Sequence, residues 1–366
     1  MKESLISQGL VARRKIAAPM NALLRLGWFV LLLLIVAVGL TSAGTDKAPR
    51  AHASTAASLG YTALGDSLTS KSGYVDSYAS YVSADVGVPI TLTNLGLPGY
   101  SSGGLLYKLA NDQAFQDSVR SANLITLMVG INDVGLAIYA YDQGTCGGTD
   151  NQNCIRNTAT SLRNNFTSIL SQIRSINGDR DAVILIADLY NPFIQQQTDD
   201  GTLGVFVRLF NRINSDIHSV ASANGISVAD VYHSFNGADG MQDPIAKGYI
   251  APDGVHANDQ GHEEIAAQFR SLNAAVLNGD ADGDGFTNGA ERYYGADLLA
   301  SCPRDSSTAA WPPDLTNDGK VTVTDILALV RNLRSPDPRY DLSRDGTVTA
   351  IDVLIGISHF GKACPP

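Results

Sequence analysis

The chain has 366 residues and a formal net charge of −10, with 44% hydrophobic and 17% charged residues. That length suggests about two domains, and the composition excludes an intrinsically disordered chain. The acidic balance argues against nucleic-acid binding, which needs a basic face.

The charge is uneven. Residues 1–53 carry seven Lys/Arg and two Asp/Glu, a net +5. Lys2, Arg13, Arg14, Lys15 and Arg25 precede an unbroken apolar run from Leu26 to Leu40. Small-residue sites follow at Thr41-Ser42-Ala43 and Ala51-His52-Ala53. This is the order of an export signal, and about fifteen apolar residues are few for a spanning helix. Residues 1–53 are therefore read as a signal peptide or a retained N-terminal anchor. Either way the bulk of the protein lies outside the membrane, secreted or at the cell surface. Any membrane attachment comes through an uncleaved N-terminal segment. The four cysteines agree with an oxidising compartment. The sequence-local pairing is Cys146–Cys154 and Cys302–Cys364, one of three connectivities.

From Ser54 to about Asn278, apolar runs alternate with amphipathic stretches. Strands are expected at Tyr61–Leu64, Ile90–Leu95, Leu124–Val129, Ala182–Ala187 and Ile226–Val231. Helices are expected at Tyr74–Val86, Leu105–Ala110, Ile155–Ile176, Leu203–Ala223 and Gln260–Leu277. Continuous apolar strands between helices imply a parallel sheet covered on both faces, hence a three-layer α/β/α domain over residues 54–278. Loops after parallel strands converge on one edge, where ligands bind.

Those loops carry chemistry. Gly65-Asp66-Ser67-Leu68 follows the first strand, with Gly65 expected to free a sharp turn. Asn94-Leu95-Gly96-Leu97-Pro98-Gly99 follows the second strand, and Gly130-Ile131-Asn132-Asp133 the third. Asp253-Gly254-Val255-His256 precedes the last helix. A serine hydroxyl needs an imidazole to take its proton, and an aspartate orients that imidazole. Asp66 and Asp133 are read as structural, binding loop N–H groups, and His262 as an early helix residue. A rival serine, Ser101, stands in Gly99-Tyr100-Ser101-Ser102-Gly103, which fits the Gly-x-Ser-x-Gly elbow. Gly96-Leu97-Pro98 separates that elbow from its strand, and it leaves the other blocks unexplained.

The four blocks, in order over about 215 residues, resemble the SGNH (GDSL) serine hydrolase family of esterases and lipases. The resemblance implies a flavodoxin-like fold with Ser67 as nucleophile, His256 as general base and Asp253 as its orienting group. It implies an oxyanion hole from the Ser67 N–H, the Gly96 N–H and the Asn132 side chain. Hydrolysis of a carboxylic ester through an acyl-enzyme follows, without a catalytic cofactor, on an acyl lipid or an O-acetylated carbohydrate. The stretch Val134–Asn157, polar and Tyr/Gly-rich, is expected to be an overhanging loop. Its Tyr139 and Tyr141 are read either as pocket-lining or as plain surface aromatics.

A different alphabet begins near Gly279. Asp280–Glu291 fills an EF-hand-type loop, with oxygen ligands from Asp280, Asp282, Asp284, Asn288 and Glu291 around a turn glycine. Two further loops offer Asp314, Thr316, Asp318, Thr322 and Asp325, then Asp341, Ser343, Asp345, Thr349 and Asp352. Each runs into an apolar helix, which makes an internal duplication. The duplicated pair resembles the dockerin type I module, and the first loop resembles a single calcium repeat. Residues 279–300 are thus a calcium repeat or linker, and 301–366 a small EF-hand-like helical domain. The resemblance implies structural Ca2+ and a cohesin-type scaffold as partner. Val323-Thr324 and Ala350-Ile351 stand at the recognition positions, the second pair apolar. A non-catalytic, calcium-dependent scaffold-binding protein is the alternative function. No nucleic-acid partner is expected.

Overall fold

The five apolar runs become β1 (Leu59–Gly65), β2 (Ile90–Gly96), β3 (Leu124–Met128), β4 (Val183–Ala187) and β5 (Ser227–Ala229). This computed structural model describes residues 58–71, 73–178 and 182–365. The expected N-terminal export segment lies outside the described residues. All strands pair in parallel in the order β2-β1-β3-β4-β5. The order reverses between β1 and β3, the switch point where ligands bind in doubly wound sheets.

Successive strand residues face opposite ways, and both faces are buried. Ile125 and Leu127 pack with Leu105, Val119, Phe166 and Phe210 on one side. Leu124 and Met128 pack with Tyr74, Tyr78, Val82 and Phe269 on the other. Two apolar layers on one sheet give the three-layer arrangement.

The helices in chain order begin with the single turn α1 (Ser67–Ser70), then α2 (Gly73–Val86), α3 (Ser102–Asn111) and α4 (Gln113–Ser121). There follow α5 (Ile131–Asp142), α6 (Asn153–Asn177), α7 (Ile194–Asp199), α8 (Leu203–Ala223) and α9 (Val231–Asn236). The hydrolase-like part ends with α10 (Asp259–Arg270) and α11 (Asn273–Asn278). Three of these change the expectations. The stretch expected as a loop from Val134 to Asn157 is one only over residues 143–152, because α5 buries Ile131, Val134 and Ala137 as one helical face and α6 begins at Asn153. The last strand stops at Ala229 because the Asp230 carboxylate caps α9 through the His233 N–H. The single helix expected over Gln260–Leu277 is two, parted at Ser271-Leu272.

The 25 residues of α6 span about 37 Å, twice the ~17 Å of a five-residue strand. Its excess length rises past the sheet edge, and α5 packs beside its first turns. The Cys146–Cys154 disulfide joins the two helices' connection. No helix among the described residues is long and apolar enough to cross a membrane.

Beyond α11 come α12 (Asn288–Tyr294), α13 (Val323–Arg331) and α14 (Ala350–Ser358). They share a separate core of Tyr294, Trp311, Val321, Ile326, Leu329, Leu342 and Val353. The Cys302–Cys364 disulfide closes this part end to end.

Candidate active site

Ser67 opens α1 directly off β1. Asp66, buried beneath it, accepts the Leu68 N–H at 3.1 Å and so caps that turn. The first N–H groups of a helix lack intrahelical partners, which leaves the Ser67 N–H pointing out of the turn. Gly65 shows ordinary strand geometry rather than the expected turn freedom. A side chain there would run into Thr69 and the Met128 carbonyl, so the glycine is needed for close packing.

His256 reaches Ser67 from the far end of the chain. Its Nε2 lies 2.8 Å from the Ser67 Oγ, and its Nδ1 lies 2.7 Å from Asp253 Oδ2. The other Asp253 oxygen accepts the Val255 N–H at 3.0 Å and the His256 N–H at 2.9 Å. Partial burial works to raise the Asp253 pKa. The two backbone N–H groups and the imidazole outweigh it, holding the carboxylate well below its usual range. A carboxylate on Nδ1 keeps the proton there and leaves Nε2 to accept from the hydroxyl.

The loop bearing this pair is braced by residues that the sequence patterns did not mark. The Tyr190 hydroxyl donates to the Val255 carbonyl at 2.8 Å, and Tyr190 itself stacks on Phe235. Asn258 donates to the Gly248 and Ile250 carbonyls. Tyr190 had no local signal beyond standing just past β4.

The glycine block requires a correction. The Gly96 N–H, expected to be an oxyanion donor, donates instead to Asn94 Oδ1 at 2.9 Å. Gly96 is a glycine because a side chain would collide with the Ser70 backbone. Gly99, three residues on, is exposed and sits at φ +76°. Among the described residues no hydrogen bond takes up its N–H. The available signal was the Pro98-Gly99 pair, a turn in which only glycine takes that φ freely. Asn132, in the first turn of α5, donates from Nδ2 to the Tyr100 carbonyl at 2.9 Å. An amide carries a second N–H, so Asn132 keeps one to give.

The remaining candidates fall outside the cluster. Ser101 caps α3, accepting the Gly104 N–H at 3.2 Å. Asp133 accepts the Ser102 N–H and hydroxyl, both at 2.8 Å, and burial raises its pKa. His262 is a buried core residue accepting the Tyr74 N–H. Tyr141 packs on Phe206, whereas Tyr139 is exposed. A cavity of about 1100 Å³, lined in part by Ile184, Ile226 and Leu299, contains none of the Ser67 cluster.

In the C-terminal part, the two duplicated loops share most of their contacts. Asp314 accepts the Gly319 N–H and Asp341 the Gly346 N–H, each at 2.7 Å. Those glycines sit at φ +86° and +92°. Thr322 and Thr349 cap α13 and α14 in capping boxes with Asp325 and Asp352. Thr316 donates to Asp325, and Ser343 to Asp341. Asp314, Asp325, Asp341 and Asp352 are fully buried, while Asp318 and Asp345 stand at the loop rims. In the first loop, Asp280, Asp282 and Asp284 bring carboxylate oxygens within 4.8 Å of one another.

A serine, a histidine and a carboxylate are thus joined at the switch point of a parallel sheet, the arrangement used by serine hydrolases. The family description GDSL-like lipase/acylhydrolase matches residues 63–264, and the chain belongs to that family of ester-cleaving enzymes. The dockerin type I domain matches residues 312–360. Among solved structures, a lipase from a goat rumen metagenome is 25% identical, covers 58% of this chain and 97% of its own, and has a TM-score of 0.49. An acetyl xylan esterase from Geobacillus stearothermophilus is 18% identical, with 58% and 94% covered and a TM-score of 0.42. A lipase/acylhydrolase from Enterococcus faecalis is 15% identical, with the same shares covered and a TM-score of 0.41. No curated protein matches the chain.

Proposed function

We propose that the chain is an exported serine esterase in which Ser67, His256 and Asp253 carry the reaction. The unbroken relay from Asp253 through His256 to the Ser67 hydroxyl, at 2.7 and 2.8 Å, carries this reading. The Ser67 Oγ attacks the ester carbonyl carbon while its proton passes to His256 Nε2. The tetrahedral oxyanion collapses, and the leaving alcohol takes that proton. Water, deprotonated by the same imidazole, then releases the acid and restores the serine. The Ser67 and Gly99 N–H groups and the Asn132 amide serve the oxyanion, each donor being worth roughly 3–4 kcal/mol.

The substrate is a carboxylic ester, and the dockerin match favours O-acetylated carbohydrate over acyl lipid. In the C-terminal pair, Ca2+ would sit between the buried end acids of each loop, with Asp318 and Asp345 completing the oxygens. Buried paired carboxylates met only by neutral donors suit such an ion. It would supply fixed positive charge that holds the loops shut. Exposed Val323 and Ile351 on the first turns of α13 and α14, with Leu354 on the next turn of α14, would face a cohesin-type partner.

The test sets Ser67→Ala beside Ser101→Ala on p-nitrophenyl esters of rising chain length and on acetylated xylan. Ser67→Ala should lose activity by 10³-fold or more, by order of magnitude. Ser101→Ala should keep it and lose about 1 kcal/mol of stability for its cap. Full activity in Ser67→Ala would overturn the assignment.

A further inference from the structure

We propose that Asp280, Asp282, Asp284 and Glu291 form a divalent-cation site, suited to calcium, that is built into the hydrolase body and locks the C-terminal module onto it. The loop falls between the two family matches, which end at residue 264 and begin at residue 312.

Three neighbouring aspartates alone are a common surface feature. Glu291 is what makes a site here. It is fully buried, and neither of its carboxylate oxygens accepts a hydrogen bond. Asp282 Oδ2 and Asp284 Oδ2 are likewise buried and unpartnered. A buried carboxylate oxygen without a partner is costly. Asp282 and Asp284 use only their other oxygens, on the Asp284 and Phe286 N–H groups, so the loop leaves four buried carboxylate oxygens unmet and suited to a cation. Glu291 stands at the twelfth position, where a hard cation with oxygen ligands takes a bidentate carboxylate.

The expected ligand Asn288 has another task. Its Oδ1 accepts the Ala281 N–H at 3.0 Å, and its Nδ2 donates to the Val276 carbonyl at 2.8 Å. It therefore ties the loop to the end of α11. Asn123, just before β3, adds a second tie: it donates to the Ala281 carbonyl at 3.2 Å and accepts the Gly60 N–H at 3.0 Å. Leu298 is buried with Phe269 and Val276 in the hydrolase core. The body that the sequence patterns end near residue 278 thus continues through the cation loop.

The other end of α12 belongs to the C-terminal module. Tyr294 lies in the core with Trp311 and Leu342, and its hydroxyl donates to the Leu342 carbonyl at 3.0 Å. The Tyr293 hydroxyl donates to Asp341 Oδ2 at 2.5 Å. Less than one turn of helix therefore joins Glu291, a cation ligand of the body, to Tyr293, which holds the opening acid of the last calcium loop. An ion held by Glu291 fixes the direction of α12, and with it the module.

The full chain, stripped with a chelator and titrated with calcium by calorimetry, tests this. Wild type should bind three ions per chain and Glu291→Gln one fewer. Calcium should slow hydrogen exchange of the α12 amides in wild type and not in Glu291→Gln. Hydrolysis of p-nitrophenyl acetate should be unchanged, so loss of the ion and loss of catalysis read separately. Should Glu291→Gln fail to fold, Asp282→Asn is expected to show the same missing ion. Wild type binding only two ions would overturn the proposal. So would full stoichiometry with unchanged α12 protection in the folded variant.

Discussion

In the proposed reaction, the contact that would make Ser67 a nucleophile rather than a helix-opening hydroxyl is the imidazole 2.8 Å away. In that reaction the imidazole would work only while Asp253 fixes its proton on Nδ1. Asp253→Asn keeps the shape but lets the ring take the wrong tautomer, so kcat should fall roughly 10⁴-fold with KM little changed; steady-state kinetics check it. Directly beneath, burial pushes Asp66 up to about 7, with the Leu68 and Gly130 N–H groups opposing and the Asp133 charge adding. The folded state then holds a proton that the unfolded chain has given up. Its contribution to stability is complete below the ordinary value of ~3.9 and drains away as pH rises through about 7. Asp66→Asn should flatten that decline, as urea unfolding of calcium-saturated protein across the interval would show. Single residues were also where sequence patterns misled. Gly96 and Gly99 look alike in the loop, and only the Asn94 side chain on Gly96 separates packing from a free donor.

At the scale of elements, α5 holds the most unexpected surface. Its buried face is Ile131, Val134 and Ala137, whereas Leu136 is 70% and Tyr139 67% exposed. At 100° per residue, those two share a face with Asn132. An apolar and aromatic strip therefore leads away from the proposed oxyanion donor along a wall closed by Cys146–Cys154. Tyr139→Ala and Leu136→Ala should raise KM for acetylated xylan several-fold and leave p-nitrophenyl acetate unaffected; equal effects on both substrates would count against the strip. The strands and α2, α6 and α8 were legible because apolar periodicity reports burial directly. Helices α4 and α5 were not marked, since one is short and polar and the other sits in a Tyr/Gly-rich stretch. The break between α10 and α11 leaves no pattern, because apolar spacing continues across it.

For the whole molecule, the Cys302–Cys364 bridge spans 62 residues. A closed loop of that size is worth about 4 kcal/mol by loop-closure entropy. The paired change Cys302→Ser, Cys364→Ser should therefore lower the unfolding of the C-terminal module alone, seen as a separated calorimetric transition with esterase activity intact. Residue order by itself determined the parallel three-layer hydrolase body and the duplicated acidic loops, and it marked the Ser67, Asn132, Asp253 and His256 blocks. These are properties of local pattern: periodicity, turn chemistry and ligand spacing each act over a few residues. Only the tertiary structure decided that Gly99 rather than Gly96 has a free N–H. It alone placed Asn288 as a brace and carried the hydrolase core on to Leu298. Those outcomes turn on which side chain from a distant segment fills a given hydrogen bond or gap, and packing settles that only after the chain has folded.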